Sequence, residues 1–275
     1  MKCTAFPYNA ESQCFQRYCR CRAAPRACRA GAGLGAFLLA VGAVLVLTAF
    51  GSPAVAAGDE DGLLSLLARM ESSYAKVRDY SAVFSKKERV KEVLQPEEAV
   101  LLKFRKPFQV YMKWIGGPLK EAIYGDGENG NKVIAHCDGV GAGLTWALDP
   151  KGSILMADNR HPITDIGFGF ILNMMRVNIP VAVKHAEIQI IRMVDDTFAG
   201  RPATVVEAKF TPQEGRKYYA ARMVCHIDKE YLLPVGIACY DENDALMEQY
   251  GYKDVKINAG LTEDDFSKKN ADYKF

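Results

Sequence analysis

Apolar residues recur along the chain at two different spacings, and the spacing distinguishes helices from strands. In residues 62–80 they fall three and four positions apart, which predicts an amphipathic helix with one face to bury. Elsewhere apolar and polar residues alternate in short runs bounded by glycine, proline and asparagine, which is typical of antiparallel strands. This alternation predicts strands in residues 80–90, 100–105, 108–115, 121–124, 132–137, 144–148, 154–157, 187–194, 203–210, 219–227, 235–240 and 246–257.

A second helical pattern interrupts the strands in the middle of the chain. Residues 161–177 carry apolar side chains at helical spacing, beginning after Pro162 and ending before Pro180, where a helix is expected to stop. The sequence therefore predicts a mainly β fold (α+β), in which an antiparallel sheet of about eleven strands curves into a half-open β-barrel. The N-terminal helix and a mid-chain helical lid would bury their apolar faces at its mouth or inside it.

The first 57 residues are predicted to be an export segment and not part of the fold. Basic residues precede an uncharged apolar run at 31–50, and small residues follow at 54–57, which is the order of a signal peptide. We expect cleavage after Ala56 or Ala57. An uncleaved run of this length would instead anchor the protein in the inner membrane. Both outcomes predict a periplasmic domain formed by residues 58–275.

Removing the export segment changes the charge balance of the protein. The whole chain has 35 basic and 33 acidic residues, but six of the basic residues and one of the acidic residues precede residue 58. The remaining domain is mildly acidic, with 29 basic and 32 acidic residues. Nucleic acid is excluded as the expected partner, because it calls for a strongly basic surface.

Two sets of large apolar side chains are candidates for lining a ligand cavity. An acyl chain that leaves a membrane needs apolar shelter of about 0.8 kcal/mol per methylene, which a cavity inside the barrel would supply. The alternative is an ordinary packed core without a void. The candidates lie on one predicted strand and on the mid-chain helix: Phe108, Val110, Met112, Trp114, Phe170, Ile171, Met174 and Met175.

Motifs for catalysis or cofactor binding are weak. Residues 125–130 (GDGENG) match the letters of a dinucleotide-binding loop, but a strand and not a helix is predicted to follow, so a tight hairpin turn is favoured. The pairs His136-Cys137 and Cys225-His226 would point to opposite faces of their strands and cannot easily chelate a metal. We therefore expect no cofactor, no metal and no enzymatic activity, with an envelope hydrolase as an alternative.

Three cysteines lie in the predicted domain, at positions 137, 225 and 239. A bridge between Cys225 and Cys239 on neighbouring strands is conceivable, but it requires a narrow range of Cα separations. Buried, unpaired thiols are the favoured interpretation.

Several short motifs occur in the same order as in a known group of envelope proteins. Residues 80–84 (YSAVF), 105–107 (RKP), 124–127 (YGDG), 233–234 (LP) and 252–258 (YKDVKIN) resemble the periplasmic lipoprotein carriers LolA and LolB. Residues 160–167 (RHPITDIG) resemble more closely the bacterial family numbered 1571 among domains of unknown function, which is itself similar to those carriers. The resemblance covers nearly all of residues 62–266.

The resemblance implies a LolA/LolB-like half-barrel in residues 58–275. The implied function is a periplasmic, non-catalytic carrier that binds a lipid or an acylated protein, together with partner proteins of the inner or outer membrane. An envelope scaffold or stress-sensor binding module is the alternative from another class. In the carriers, an arginine before the strand-opening proline holds the lid closed. Lys106 occupies that position here and is the lid-contact candidate, although a lysine lacks the forked donors of arginine and a solvated strand-end charge is equally compatible.

Overall fold

The computed structural model describes residues 58–116, 120–137, 144–213 and 215–275. The predicted export segment, residues 1–57, lies outside the described residues. Within those ranges, no helix combines the length and the apolar character needed to cross a membrane.

Two α-helices and twelve strands make up most of the described chain. Helix α1 is Gly58–Ala75 and helix α2 is Phe168–Lys184, and a short 3-10 helix, Glu263–Phe266, lies in the C-terminal tail. The strands are β1 (Asp79–Val90), β2 (Val93–Leu94), β3 (Glu98–Arg105), β4 (Gln109–Ile115), β5 (Lys120–Gly125), β6 (Val133–Cys137), β7 (Thr145–Leu148), β8 (Ile188–Phe198), β9 (Arg201–Phe210), β10 (Arg222–Asp228), β11 (Pro234–Tyr240) and β12 (Leu246–Ile257).

All strands belong to one antiparallel sheet, with β1 at its centre. The order is β7-β6-β5-β4-β3-β1-β12-β11-β10-β9-β8, and the two-residue strand β2 pairs only with β1. Two meanders therefore flank β1, one before α2 in the chain and one after it. Strands β7 and β8 are the two edges of this order, so the barrel is open, as the alternation of the sequence predicted.

Both helices lie on the inner face of the sheet. Helix α1 buries Leu63, Leu67 and Met70, and α2 buries a continuous apolar stripe that includes Met175 and Ile179. The two helices contact each other, and α2 also contacts β11 and β8. One large apolar core therefore joins both helices to the sheet, which is the arrangement expected for elements that each have one apolar face.

The C-terminal tail packs on the outer face of the first meander. The ring of Tyr273 stacks on that of Tyr111, with centroids 3.9 Å apart, and Lys103 Nζ lies 2.7 Å from an Asp265 carboxylate oxygen. Phe266 is buried there and Phe275 packs at the edge of the same small cluster. Both residues anchor the tail to the sheet.

The segment before α2 differs from its prediction. Residues 154–157 form turns and not a strand, and the helix begins at Phe168 and not near residue 161. The helix also continues through Pro180 to Lys184. Pro180 is exposed while Ile179 and Ala182 are buried, so packing of the inner face sustains the helix and the hydrogen bond lost at proline lies on the solvent side.

Two smaller predictions concern turns and thiols. The GDGENG segment links β5 to β6 as a turn, with positive φ angles at Gly127, Asn129 and Gly130, so the hairpin interpretation is confirmed. Cys225 and Cys239 are buried free thiols that are not bridged to each other.

A buried ion pair fixes the loop between β9 and β10. Glu187 accepts hydrogen bonds from Arg216 Nε at 2.8 Å, from Tyr218 Oη at 2.5 Å and from the Gln213 backbone at 2.9 Å. The bonds from Arg216, followed by those from Tyr218 and Gln213, outweigh burial and lower the pKa of Glu187 from 4.5 to about 2. The carboxylate thus stabilises the fold only while it is ionised.

We expect the stability difference between the wild type and Glu187→Gln to depend on pH. Because the folded pKa lies below the unfolded value, the contribution of Glu187 is complete above about pH 4.5 and is lost as the pH falls towards 2. Thermal unfolding from pH 7 to pH 2 measures it, with exposed Glu97→Gln as the control. A difference in Tm that stays constant down to pH 2 would contradict the assignment.

Candidate ligand-binding site

A cavity of about 110 Å³ lies between the inner face of the sheet and the segment that precedes α2. Its walls are mainly apolar and come from β1, β4, β5, β6, β12, α2 and the turns before α2. We call residues 154–167 the cover segment, because it closes the cavity on the side away from the sheet. The apolar lining residues are Phe84, Met112, Trp114, Ala122, Val133, Ile154, Leu155, Ile163, Ile166, Phe170, Ile171, Tyr250 and Tyr252.

Three tyrosines surround the start of α2. The first N–H groups of a helix have no partner within the helix. Here the backbone N–H of Phe168 donates to Tyr80 Oη at 3.3 Å. The Tyr74 hydroxyl lies against Gly169, and the Tyr252 ring packs on that of Phe168, with ring centroids 4.6 Å apart.

The tyrosines come from three different elements, β1, β12 and α1. Burial raises the pKa of all three hydroxyls, to about 12 for Tyr74, so they remain neutral. We call this arrangement the tyrosine clasp, because it ties the first turn of α2 to the sheet and to α1.

The clasp explains why the cover segment ends in glycine. Gly167 has φ 92° and ψ 178°, a conformation that is essentially restricted to glycine. A Cβ atom at this position would lie 2.3 Å from the Tyr80 hydroxyl oxygen, and one at Gly169 would lie 2.7 Å from that of Tyr74. Side chains at these positions would therefore displace the hydroxyls that hold the helix.

A buried charged cluster holds the middle of the cover segment. Glu248 on β12 is 1% exposed and accepts hydrogen bonds from Tyr219 Oη at 2.5 Å and His161 Nε2 at 2.9 Å. Arg160 Nε lies 2.9 Å from the same carboxylate as an ion pair. Burial, followed by the charge of Glu248, raises the pKa of Tyr219 and keeps its hydroxyl a donor. We call this cluster the Glu248 latch.

A second carboxylate, Glu88 on β1, reinforces the latch. It accepts hydrogen bonds from Tyr250 Oη at 2.6 Å and from the backbone N–H of Arg160 at 2.9 Å. The cover segment is therefore joined to β1 and β12 by charge-assisted hydrogen bonds, which are stronger than neutral ones.

Polar side chains form the mouth of the cavity. Lys86 on β1 lies 3.5 Å from Glu88 and 3.4 Å from Glu98, and its ammonium also donates to Asn159 of the cover segment. Trp114 Nε1 donates to Glu98 at 3.1 Å, and the Lys120 ammonium lies 4.0 Å from the centroid of the Trp114 ring. Two lysines and two carboxylates thus lie together at the mouth of a mainly apolar cavity.

The predicted lining residues fall in four places. Met112, Trp114, Phe170 and Ile171 line the cavity. Val110 is fully buried in the core, and Phe108 faces an open groove at the other end of the barrel. Met174 and Met175 pack towards Phe210 and Met223 on the second meander. Strand alternation placed Phe108 and Val110 on the correct face, but position along the barrel separates them from the cavity.

The prediction missed the residues that close the cavity. Tyr250 and Tyr252 are two positions apart on β12, as Phe84 and Lys86 are on β1. Strand alternation therefore indicated that the members of each pair share a face of the sheet. For Arg160 and His161, which bind Glu248, the sequence offered one indication: both belong to the RHPITDIG motif.

Lys106 contacts the first helix. Its ammonium donates to the Tyr74 carbonyl oxygen at 2.6 Å and lies 3.8 Å from the centroid of the Tyr74 ring. The Tyr74 hydroxyl in turn lies against Gly169 in the first turn of α2, so Lys106 is linked to α2 through one intermediate residue. In the part of the chain with described coordinates, no group of three or more acidic, histidine or cysteine side chains is arranged to hold a metal ion.

Residues 77–275 match the family described as "Protein of unknown function (DUF1571)". The chain belongs to this family. The family predicted from the RHPITDIG motif is thereby confirmed. Among curated proteins, none matches the sequence of this DUF1571 protein.

Solved structures similar to this DUF1571 protein include the MucA/MucB complex of Pseudomonas aeruginosa. That match has 17% identity and a TM-score of 0.42, covering 76% of this chain and 60% of that one. The Mycobacterium tuberculosis lipoprotein LppX matches at 11% identity and TM-score 0.42, over 74% and 98% of the two chains. A putative outer membrane lipoprotein-sorting protein domain from Vibrio parahaemolyticus matches at 14% identity and TM-score 0.30, over 76% and 97%.

Proposed function

We propose that this protein is a non-catalytic binding protein of the bacterial periplasm that holds an acyl chain of a lipid or an acylated protein. The observation that carries the proposal is the apolar cavity enclosed between the sheet and the cover segment. Its walls would replace the membrane environment of the chain, at about 0.8 kcal/mol for each methylene taken from water.

The size of the cavity specifies how such a chain would be bound. At about 110 Å³ it is smaller than the dry cavity of roughly 150 Å³ that accommodates benzene in another protein. The closed form would therefore hold the end of a chain, and a longer chain requires the cover segment to move outwards. The cover segment suits this movement, because it consists of turns held by polar side chains and not of packed regular structure.

The chemistry of the site favours binding over catalysis. Hydroxyl and imidazole groups near the cavity are engaged with Glu248 and Glu88. Burial also raises the pKa of the Cys225 thiol to about 12, which makes it a poor nucleophile.

Filling the cavity is expected to remove bound lipid. Ala122 lines the cavity from β5, so Ala122→Phe would occupy the space, whereas Ala147→Phe on the edge strand β7 adds the same ring to an exposed position. The measurement is native mass spectrometry and organic extraction of protein purified from the bacterial envelope. We expect lipid from the wild type and from Ala147→Phe, and several-fold less from Ala122→Phe with its thermal unfolding transition retained. Wild-type protein without lipid, or equal lipid in both variants, would contradict the proposal.

A protein-binding role is the second candidate, and the edge strand β8 favours it. This strand pairs with β9 on one side and has no strand partner on the other in the described structure, and it exposes Ile191 and Val194. Unpaired edges of this kind bind partner strands. A scaffold or stress-sensor role predicts that Val194→Lys weakens the binding of an envelope protein and leaves lipid recovery unchanged.

A further inference from the structure

We propose that the charged mouth of the cavity recognises the anionic head group, a carboxylate or a phosphate, of a single-chain amphiphile, with Lys86 and Lys120 as the binding cations. The inference rests on the proposed function, because the tail of the same ligand would occupy the apolar cavity. The inference adds the charge of the ligand's head group and the direction in which the ligand lies in the cavity.

Lys86 places a positive charge at the inner end of the mouth. It follows Phe84 by two positions on β1, so both side chains point to the inner face, and it is only 9% exposed. An ammonium this deeply placed requires anionic partners. Glu88 and Glu98, each about 3.5 Å away, supply them in the closed form.

The two carboxylates differ in how firmly they are held. Glu88 is 5% exposed and is fixed by Tyr250 Oη and the Arg160 backbone. The side chain of Glu98 is 40% exposed, lies at the start of β3 and has Trp114 Nε1 as a neutral hydrogen-bond donor. Glu98 can therefore rotate into solvent, whereas Glu88 cannot leave without breaking the attachment of the cover segment. Glu98 is therefore the carboxylate that an anionic head group would replace beside Lys86.

Lys120 supplies a second cation at the same place. Its ammonium lies over the Trp114 ring, and Trp114 also binds Glu98. Burial raises the pKa of Glu98, but the charges of Lys120 and Lys86 and the Trp114 hydrogen bond outweigh it and lower that pKa. An anionic head group that displaces Glu98 would meet both ammonium groups while its tail points towards Met112 and Ile171.

The acidic residues of the cover segment favour the alternative, which is a cationic head group. Asp158 and Asp165 also line the cavity, and Asp165 lies 3.9 Å from His161 Nδ1. The choice between the two head-group charges is therefore decided by measurement with matched ligands.

Trp114 provides the readout. The sequence contains two tryptophans, Trp114 at the mouth and Trp146 on the edge strand β7. A Trp146→Phe protein reports on Trp114 alone through its fluorescence. Four probes with the same ten-carbon chain, namely decanoate, decyl phosphate, decanol and decylamine, are titrated into delipidated protein.

We expect decanoate or decyl phosphate to bind about tenfold more tightly than decanol, and decylamine to bind most weakly. A preference for decanoate assigns the site to a fatty-acid carboxylate, and a preference for decyl phosphate assigns it to a phosphorylated lipid. In Lys120→Met and Lys86→Met the anion preference should disappear while decanol binding is retained. In Glu98→Gln, which removes the competing carboxylate, decanoate should bind several-fold more tightly.

Lys87→Met is the matched control, because Lys87 points to the other face of β1. Lys120→Met and Glu98→Gln decide the result should Lys86→Met fail to fold. Equal affinity for decanoate and decanol, tighter binding of decylamine, or an anion preference unchanged in Lys120→Met and Glu98→Gln would overturn the inference and leave the cavity function standing. Failure of all four probes to bind would instead overturn the proposed function itself.

Discussion

Replacement of Glu248 by alanine is expected to lower the free energy of unfolding by about 3 to 5 kcal/mol. The carboxylate is buried and faces Arg160, His161 and Tyr219 together, so its removal leaves a guanidinium and two polar rings without their partner. The effect should exceed that of losing an ordinary surface ion pair, which is worth about 1 kcal/mol or less.

Chemical denaturation monitored by far-UV circular dichroism measures this change. Glu248→Gln keeps the size of the side chain and part of its hydrogen bonding, so it should cost less than Glu248→Ala. Glu242→Ala, at an exposed position in the β11–β12 turn, is the control and should change stability by less than about 0.5 kcal/mol. Hydrogen exchange should also show faster exchange in the cover segment of Glu248→Ala. Protection there equal to that of the wild type would exclude the Glu248 latch.

Gly167→Ala is expected to destabilise the protein by about 3 kcal/mol through two separate causes. The backbone conformation at φ 92° and ψ 178° disfavours any residue with a Cβ by about 1 to 3 kcal/mol. The added Cβ would also lie 2.3 Å from the Tyr80 hydroxyl oxygen, which must move and release the N–H of Phe168.

Two further variants separate these causes. Gly260→Ala has a similar φ of +78° but no atom within 4 Å of the new Cβ, so it measures the cost of a positive φ without a clash. Adding Tyr80→Phe to Gly167→Ala removes the hydroxyl that clashes, and the double variant should recover part of the lost stability. Thermal and chemical unfolding of the four proteins measure both effects. A double variant no more stable than Gly167→Ala would show that the contact with the Tyr80 hydroxyl contributes nothing.

The two variants act on different parts of the same cover segment. The tyrosine clasp packs the start of α2 against α1, β1 and β12 through neutral side chains, whereas the Glu248 latch ties residues 160 and 161, in the middle of the segment, to a buried carboxylate. Helix α2 has a large buried face as well, so opening of the cavity is expected to involve the cover segment more than the helix. This differs from a lid formed by the whole mid-chain helix, which was the interpretation drawn from sequence spacing.

Local periodicity predicted most of the regular structure. The strands β1, β3, β4 and β12 follow the period of two, since a sheet with one buried face requires it. The same rule placed Met112 and Trp114 on the inner face. It was wrong for residues 154–157 and for the start of α2. The apolar residues there belong to the turns of the cover segment, and their spacing happens to match that of a strand or a helix.

The sequence by itself determined the open antiparallel sheet, the two apolar-faced helices and the membership of the DUF1571 family, because these depend on patterns within short stretches of chain. Only the tertiary structure decided where the cavity lies and what closes it. His161 and Glu248 are 87 positions apart, and Tyr80 and Phe168 are 88 apart. Contacts over such separations depend on how the sheet curves and where β1 meets β12, and no local pattern of apolar residues contains that information.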